Sequence, residues 1–468
     1  MAMDLVSLTS KIGKDDKNIL TNIGFSLVVK GGSLIVTVLT IPSYMRFFDN
    51  KSVLGVWFTI LSVLSWILTF DFGVGNGLRN QLVPALVEND TNKQRSLISS
   101  AYISLAVISF GIFAILFIAA NQINWNGVFN ISQKTVSTRL LTDTVMIGLL
   151  SIVLQFSLRL ITSILYALQY SFLPSLLSFL SSAFLLTIVN LSIVYNHKND
   201  FIFLAWGNLF CVNIPLIIAT IAIFSTKMKN VCPSGYYFNI KLAIGIYKYG
   251  FVFLWLQFMA LIINNTNDFL ISFLVGPSQD VPYQAYSKIF TLVSGLAILT
   301  LTPIWSAVTK AKAEKRNSWI KKVYLILLLL IVVSFVLYLT MLPFLQIVFN
   351  IWLGTNTIRV NYAVAFAFVL YGTMSIWNGV VCTFVNGLGE LRIQLIFLTF
   401  GAVINIPLSY LFVHIQNSFA SIVAANVVSL LPFCIIQTLV LLYKLEITPH
   451  KKSEGQPNAN IKENNQKQ

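Results

Sequence analysis

Twelve apolar stretches, each long enough to cross a lipid bilayer, make up most of this 468-residue chain. A hydrocarbon core about 30 Å thick requires about 20 apolar residues per helix, and lipid offers the backbone no hydrogen-bond partners. Helices are therefore the structures that these stretches can form. Charged residues are only 10% of the chain, compared with about 25% in soluble proteins. The sequence predicts an all-α polytopic membrane protein.

The spacing of the apolar stretches predicts twelve membrane spans. They lie at 19–41, 53–77, 97–120, 141–165, 172–195, 201–225, 246–275, 284–308, 321–345, 360–385, 391–413 and 419–443. Because the number is even, both termini lie on one side of the membrane. The segments on that side carry most of the lysine and arginine residues. Cytoplasmic loops carry such an excess, so both termini are predicted to be cytoplasmic.

The net charge of +15 is distributed between the apolar spans and does not form a basic surface interleaved with aromatic residues. It therefore indicates membrane topology and not binding of nucleic acid. The four cysteines are scattered along the chain without a C-x-x-C pair. They therefore predict neither a disulfide framework nor a metal site. No phosphate-binding G-x-x-x-x-G-K-[ST] motif is present, and no cofactor is predicted.

The longest inward loop between spans follows span six and divides the chain into halves of six spans. A weak repeat supports duplication, because Pro42 and Gly276-Pro277 end spans one and seven in corresponding positions. Six spans return the chain to its starting side, so the halves are predicted to be related by a pseudo-two-fold axis along the membrane normal. The predicted organisation is a cytoplasmic segment 1–18, a six-helix bundle 19–225, a cytoplasmic linker 226–245, a second six-helix bundle 246–443 and a disordered cytoplasmic tail 444–468.

Charged side chains inside membrane spans are costly and mark candidate functional sites. Lys30 lies near the middle of span one, too deep for easy snorkelling to the interface. Arg159 and Lys288 lie nearer to span ends, where snorkelling is an alternative, and Arg79 follows span two. We predict that these four cations bind an anionic substrate in a central cavity. For Arg79 the other reading is an ordinary positive-inside residue.

The acidic residues Asp71 and Asp268 are predicted to couple transport to a proton or sodium gradient, or to balance the lumen cations as static ion pairs. Four consecutive polar residues precede Asp268, among them the candidate lumen residues Asn264, Asn265 and Asn267. Consecutive residues cannot share one helix face, so either some meet partner helices or the helix is broken there, which makes span seven a candidate hinge.

The end of span two carries the most specific local sequence, Asp71-Phe72-Gly73-Val74-Gly75-Asn76. Gly73, Gly75 and Asn76 are predicted to form a loosened helix end that serves as a hinge or polar lumen wall. The alternative is that the small residues allow close helix packing. A second distinctive segment is Asn267-Asp268-Phe269-Leu270, followed by Gly276, Tyr283 and Ala285.

With these segments, and with Asn22, Pro42, Tyr44, Gly55 and Trp57 before them, the chain resembles the polysaccharide transporter family. These are the Wzx-type O-antigen flippases of the multidrug/oligosaccharidyl-lipid/polysaccharide (MOP) exporter superfamily. The resemblance implies transport of undecaprenyl-pyrophosphate-linked oligosaccharide repeat units from the cytoplasmic to the outer face of the bacterial inner membrane. It also implies ion-coupled alternating access, membrane lipid around the transporter, and a polysaccharide polymerase and chain-length proteins as partners.

Two other functions are weighed against the flippase. A cation-coupled drug or metabolite antiporter of the same superfamily is the first, although a site for organic cations is expected to be rich in carboxylates and aromatic rings. The second is a membrane polysaccharide polymerase or glycosyltransferase. These enzymes typically carry a long outward loop or a D-x-D metal site, and the sequence has neither, so the chain is predicted not to be an enzyme.

Overall fold

The computed structural model describes residues 14–48, 50, 53–58, 60–61, 68, 73–128, 131–195, 200–276, 279–353 and 358–447. These residues are almost all helical, and no β-strand occurs among them. Within this part of the chain, ten helical segments have the length and composition needed to cross a membrane. The predicted all-α membrane fold is therefore confirmed. The tail beyond Ile447 and residues 59, 62–67 and 69–72 of span two lie outside the described residues.

The described residues of the N-terminal half form seven main helices. They are α1 (Lys14–Phe47), α2 (Val74–Val87), α3 (Thr91–Ala120), α4 (Thr138–Leu158), α5 (Leu160–Ala167), α6 (Phe172–Val194) and α7 (Phe201–Ser225). Span one corresponds to α1, and span four to α4 and α5, which meet at Arg159. Side-chain oxygens cap several of these helices where they enter the membrane. Asp90, for example, accepts a hydrogen bond from the backbone N–H of Lys93 at the start of α3.

The described residues of the C-terminal half form eight α-helices. They are α8 (Ile240–Asn265), α9 (Asn267–Leu274), α10 (Asp280–Ala313), α11 (Asn317–Met341), α12 (Leu345–Leu353), α13 (Tyr362–Leu388), α14 (Arg392–Ile415) and α15 (Phe419–Ile447). The helix of span seven is interrupted at Thr266, within the polar run where the sequence places either a break or contacts with partner helices. α8 begins at Ile240, so the last six residues of the predicted linker 226–245 are helical.

The two halves repeat one packing pattern. In the first half, the contacting pairs are α1–α6, α6–α7, α4–α7, α3–α4 and α2–α5. The corresponding pairs in the second half are α8–α14, α14–α15, α13–α15, α11–α13 and α10–α13. Between the halves, α1 packs on α10 as α8 packs on α2, and α2 meets its own counterpart α10. This pattern is what a pseudo-two-fold relation between two bundles produces.

Four helix ends at one end of the molecule give the residue register of this relation. Helices α2, α5, α10 and α13 each end with a residue in the left-handed conformation, respectively Asn89, Gln169, Lys315 and Gly389. In each case the N–H of the left-handed residue and the N–H of the next residue donate to carbonyls of the last turn, for example Asn89 to Leu86 and Asp90 to Ala85. Asn89 thus corresponds to Lys315, and Gln169 to Gly389. We refer to this end, which carries most of the basic loops, as the basic end.

Candidate functional site

Arg79 lies at the contact between the two bundles, and only 2% of its surface is exposed. Its Nε donates to Ser306 Oγ at 2.8 Å, and an Nη donates to the Thr302 carbonyl at 3.0 Å. The guanidinium carbon lies 4.2 Å from the ring centroid of Trp305 and 4.8 Å from that of Tyr166. These contacts join α2 to α10 of the opposite bundle. A buried cation needs such hydrogen bonds and aromatic faces to offset its loss of hydration.

Asn80 extends the same contact. Its Oδ1 accepts a hydrogen bond from Trp305 Nε1 at 3.2 Å, and its Nδ2 donates to the Asn386 carbonyl at 2.8 Å. Arg79 and Asn80 therefore connect α2 to both α10 and α13. We call the group Arg79, Asn80, Thr302, Trp305 and Ser306 the latch. Within the described residues, Arg79 has no carboxylate partner, so the latch consists of neutral acceptors and aromatic rings around one cation.

The glycines after Asp71 bring the backbone of α2 against α8. Gly73 has φ +62°, and a Cβ built on it would lie 2.0 Å from the carbonyl oxygen of Gly250. A Cβ on Gly77 would lie 2.5 Å from the carbonyl oxygen of Ile246. Both distances are shorter than any carbon–oxygen contact that packing allows. Gly73 and Gly77 thus pack closely against α8, while the hinge or lumen role of Gly73, Gly75 and Asn76 stays a prediction.

Arg159 is exposed at the junction of α4 and α5, and one of its Nη atoms donates to the Leu68 carbonyl at 3.2 Å. It lines a small cavity of about 40 Å³ together with Gly75, Thr162 and Ser163. Asn76, the next residue of α2, is half-buried. Lys30 lies on α1, but its side chain is outside the described residues, as is Asp71. The predicted roles of Lys30 as a lumen cation and of Asp71 in ion coupling or charge balance therefore stay predictions.

In the second bundle, Asp268 is exposed and accepts a hydrogen bond from Gln284 Nε2 at 2.8 Å. Lys288 is also exposed and lies one turn further along α10 than Gln284. The structure thus places Asp268 of α9 beside the turn of α10 that precedes Lys288. Both side chains remain accessible, as binding of a solute or coupling ion requires.

Asn267 is buried and belongs to a chain of amide and hydroxyl groups across the second bundle. Its Nδ2 donates to Tyr283 Oη at 3.0 Å, and its Oδ1 accepts from Asn426 Nδ2 at 3.0 Å. Asn405 in turn donates to Asn426 Oδ1 at 2.8 Å. Every group in this chain is neutral. The network anchors the start of α9 to α14 and α15 just beyond the break at Thr266.

Asn264 and Asn265, on the other side of the break, are exposed. Asn264 Oδ1 accepts a hydrogen bond from Tyr371 Oη at 2.9 Å. The sequence analysis did not identify Tyr371, Asn405 and Asn426 as members of this polar group. An asparagine inside each of two apolar spans was the signal, because a lone amide in lipid needs a partner helix.

Comparison with known proteins supports the architecture and not a sequence family. No protein-family profile matches the chain, and no curated protein matches it in sequence. A MOP superfamily transporter from Pyrococcus furiosus superposes with a TM-score of 0.74 at 13% identity, over 93% of this chain and 97% of the other. A MATE transporter in complex with MaD3S gives a TM-score of 0.73 at 13% identity, over 93% and 98% of the two chains.

The third comparison is an outward-facing multidrug resistance MATE family transporter of the MOP superfamily. It gives a TM-score of 0.71 at 14% identity and covers 93% of this chain and 97% of the other. The chain has the MATE transporter fold. At this level of identity the comparison concerns the fold alone, and it confirms the predicted architecture of two helical bundles.

Within this MATE fold, the latch lies where the pseudo-symmetric helices α2 and α10 meet at the basic end. The break in span seven and the accessible pair Asp268 and Lys288 belong to the second bundle. The structure therefore places Arg79 in a contact between the bundles, where it is buried, whereas Arg159, Asp268 and Lys288 are accessible.

Proposed function

We propose that the protein is an ion-coupled membrane transporter that exports drugs or metabolites by alternating access of its two bundles. The bundle arrangement of the MATE fold supports this proposal. The observation that carries it is the latch. Arg79 reaches across from one bundle to the other through two hydrogen bonds and an aromatic face, and it closes the basic end of the molecule.

The chemistry of the latch suits a contact that must open and close. A buried ion pair between the bundles would require two charges to be hydrated at each opening. When the latch opens, it exposes one cation and a few neutral groups, and water replaces their hydrogen bonds. In the proposed cycle, the latch parts when the basic end opens and forms again when the opposite end opens.

Coupling to an ion gradient is assigned to Asp268, together with Asp71, which lies outside the described residues. Asp268 is accessible, follows the break in span seven, and is held by Gln284 on α10. Binding of a cation or proton there changes the charge next to α10, which also carries the latch residues Trp305 and Ser306. Ion binding at Asp268 and closure by the latch therefore both involve α10.

The second candidate function is the flippase for undecaprenyl-pyrophosphate-linked oligosaccharides in a bacterial inner membrane with both termini cytoplasmic. The observation that favours it is the accessible cations Arg159 and Lys288, which suit a diphosphate group. One solved neighbour, the transporter from Pyrococcus furiosus, is described as having a pocket of reversed polarity that suggests a different function. The charge of the substrate pocket is accordingly the property that distinguishes the antiporter from the flippase.

Two cell assays distinguish these functions. The first measures efflux of a fluorescent organic cation from cells that lack their own multidrug exporters. The second measures surface polysaccharide in cells that lack their own flippase, in several glycan backgrounds. Efflux without rescue supports the antiporter, and rescue without efflux supports the flippase. If a correctly inserted wild-type protein supports neither, both substrate assignments are wrong.

A further inference from the structure

A cavity of about 710 Å³ opens at the basic end of the second bundle, away from the latch. Its walls are the first part of α8, the turn between α13 and α14, and the last part of α15. Three of the lining side chains are the cations Lys248, Arg392 and Lys444, and one is the carboxylate of Glu390. The cavity therefore has an excess of two positive charges.

The carboxylate of Glu390 does not neutralise Lys248 and Arg392. Glu390 forms its ion pair with Lys444. Lys248 and Arg392 are exposed, and neither forms an ion pair within the part of the chain that the structure describes. Two cations that face one cavity repel each other unless an anion lies between them. Their arrangement is therefore suited to an anionic group that arrives from outside the protein.

Lys248 and Arg392 lie at the same depth in the membrane. Helices α8 and α14 pack side by side, and Trp255 Nε1 of α8 donates to Thr399 Oγ1 of α14 at 2.8 Å. Lys248 and Arg392 each precede those residues by seven positions, which is about two helical turns. The two cations consequently lie about 10 Å closer to the basic end than this hydrogen bond does.

The surface beyond the cations, towards the middle of the membrane, is apolar. On α8, Phe251 is 63% exposed and Trp255 is 40% exposed. On α14, Ile396 and Phe400 are 57% and 52% exposed. These residues follow Lys248 and Arg392 at helical spacing, so they extend the same faces of the two helices. A ligand with an anionic head and a hydrocarbon chain fits this order of cations followed by apolar side chains.

The fold itself does not require these charges. The pseudo-symmetric turn of the first bundle, between α5 and α6, also has a residue in the left-handed conformation, Gln169 in place of Gly389. It makes the same pair of backbone hydrogen bonds. Its residues 168–172 are Leu, Gln, Tyr, Ser and Phe, none of which is charged. Arg392 corresponds to Phe172 in this register. The geometry of this turn therefore does not require the charges of Glu390 and Arg392.

We infer that this cavity binds the phosphate headgroup of an anionic phospholipid of the membrane leaflet at the basic end. The acyl chains lie along α8 and α14 beside Phe251, Trp255, Ile396 and Phe400. Basic pockets between helices at the cytoplasmic side of membranes bind such headgroups. Gly250 of α8 is the residue that Gly73 of α2 contacts. A lipid bound at Lys248 therefore stabilises α8 close to its contact with the first bundle.

The test is thermal unfolding of the detergent-purified full chain with added phosphatidylglycerol or phosphatidylcholine of the same acyl chains. We expect phosphatidylglycerol to raise the unfolding temperature and phosphatidylcholine to leave it unchanged. In the double variant Lys248→Gln and Arg392→Gln, the apparent affinity for phosphatidylglycerol is expected to fall by at least about tenfold. The matched control is Lys229→Gln and Lys322→Gln, which removes two exposed cations of the same end outside the cavity.

Equal stabilisation by both lipids would overturn the inference, and this comparison requires no variant. So would an equal loss of affinity in the two double variants, because it would indicate attraction to the basic end as a whole. The third probe is inorganic phosphate, added at the same concentration as the lipids. Stabilisation by phosphate as large as by phosphatidylglycerol would mean that the cavity is an anion site and not a lipid site.

Discussion

Arg79 and Trp305, which stack at 4.2 Å across the bundle interface, occupy equivalent positions under the pseudo-two-fold relation. Each lies nine residues before the glutamate that ends its helix, Glu88 in α2 and Glu314 in α10. Their neighbours Asn80 and Ser306 are equivalent as well, and each accepts a hydrogen bond from the opposite pair. The latch is thus one pseudo-symmetric contact in which the cation of one helix meets an aromatic ring at the equivalent position of the other.

Removing the guanidinium is expected to loosen the latch. Hydrogen bonds to charged groups contribute about 1.5–3 kcal/mol each, so Arg79→Gln should weaken the closed state by about 2 kcal/mol and raise the open population about 30-fold. The measurement is the rate at which an impermeant maleimide labels Thr309→Cys, a buried position one turn beyond Ser306, in a chain without its native cysteines.

The matched control for that experiment is Arg95→Gln. Arg95 lies at the same end and bonds Tyr237 and Asn230 of the linker, but it does not connect the bundles. Its removal should leave the labelling rate unchanged. A rate in Arg79→Gln equal to that in Arg95→Gln would contradict the assignment of Arg79 to a gate.

Close backbone packing between α2 and α8 predicts that Gly73 tolerates no side chain. Gly73→Ala combines a left-handed backbone with a Cβ 2.0 Å from the Gly250 oxygen, and we expect it to lower the free energy of unfolding by at least about 2 kcal/mol. Gly111→Ala is the control, because nothing lies within 4 Å of its Cβ position. Thermal unfolding of the two purified variants compares them. A stable Gly73→Ala protein would show that the contact is not tight.

The asparagine chain of the second bundle predicts strong coupling between its members. Asn426→Ala leaves Asn267 Oδ1 and a donor of Asn405 without this partner, which we expect to cost at least about 2 kcal/mol of unfolding free energy. Adding Asn405→Ala should cost less than the sum of the single changes, because both remove the same bond. A double-mutant cycle measures this, with the exposed Asn265→Ala as control. Simple additivity would mean that the two residues act separately.

Asp268→Asn tests the assignment of ion coupling. The amide keeps the shape of the carboxylate and an oxygen for Gln284, but it carries no charge. We expect gradient-driven transport to be lost while exchange of substrate across the membrane continues. Glu88→Gln, which removes an exposed carboxylate at the basic end, should retain both activities. Unchanged gradient-driven transport in Asp268→Asn would assign coupling elsewhere.

The sequence was sufficient for the architecture because lipid imposes one constraint on every span. The length of the apolar stretches predicted the helices. The consecutive polar residues predicted either a break or contacts with partner helices, and the structure has a break at Thr266 and partner contacts of Asn267. The repeat between the halves was visible only weakly in residues such as Pro42 and Pro277. In the structure it appears in backbone hydrogen bonds that almost any residue can make, as at Asn89 and Lys315.

The latch could not be derived from the sequence, because Arg79 and Ser306 are 227 residues apart. An arginine that follows an apolar span is indistinguishable from a topology determinant until its neighbours are known. Burial reveals the difference, since Arg79 has 2% of its surface exposed. Asn405 and Asn426 were missed for the same reason, because each is a single amide within an apolar span and the partner lies on another helix.

The central claim is that the bundles must part at the basic end during transport. Gln81 of α2 and Gly245 of α8 provide the test, because a Cβ on Gly245 would lie 3.7 Å from Gln81 Nε2. A short bifunctional thiol reagent would join Gln81→Cys to Gly245→Cys in a chain without its native cysteines, with the two single variants as controls. The account predicts that the cross-link abolishes transport and that each treated single variant retains it. Full transport by the cross-linked protein would contradict the account.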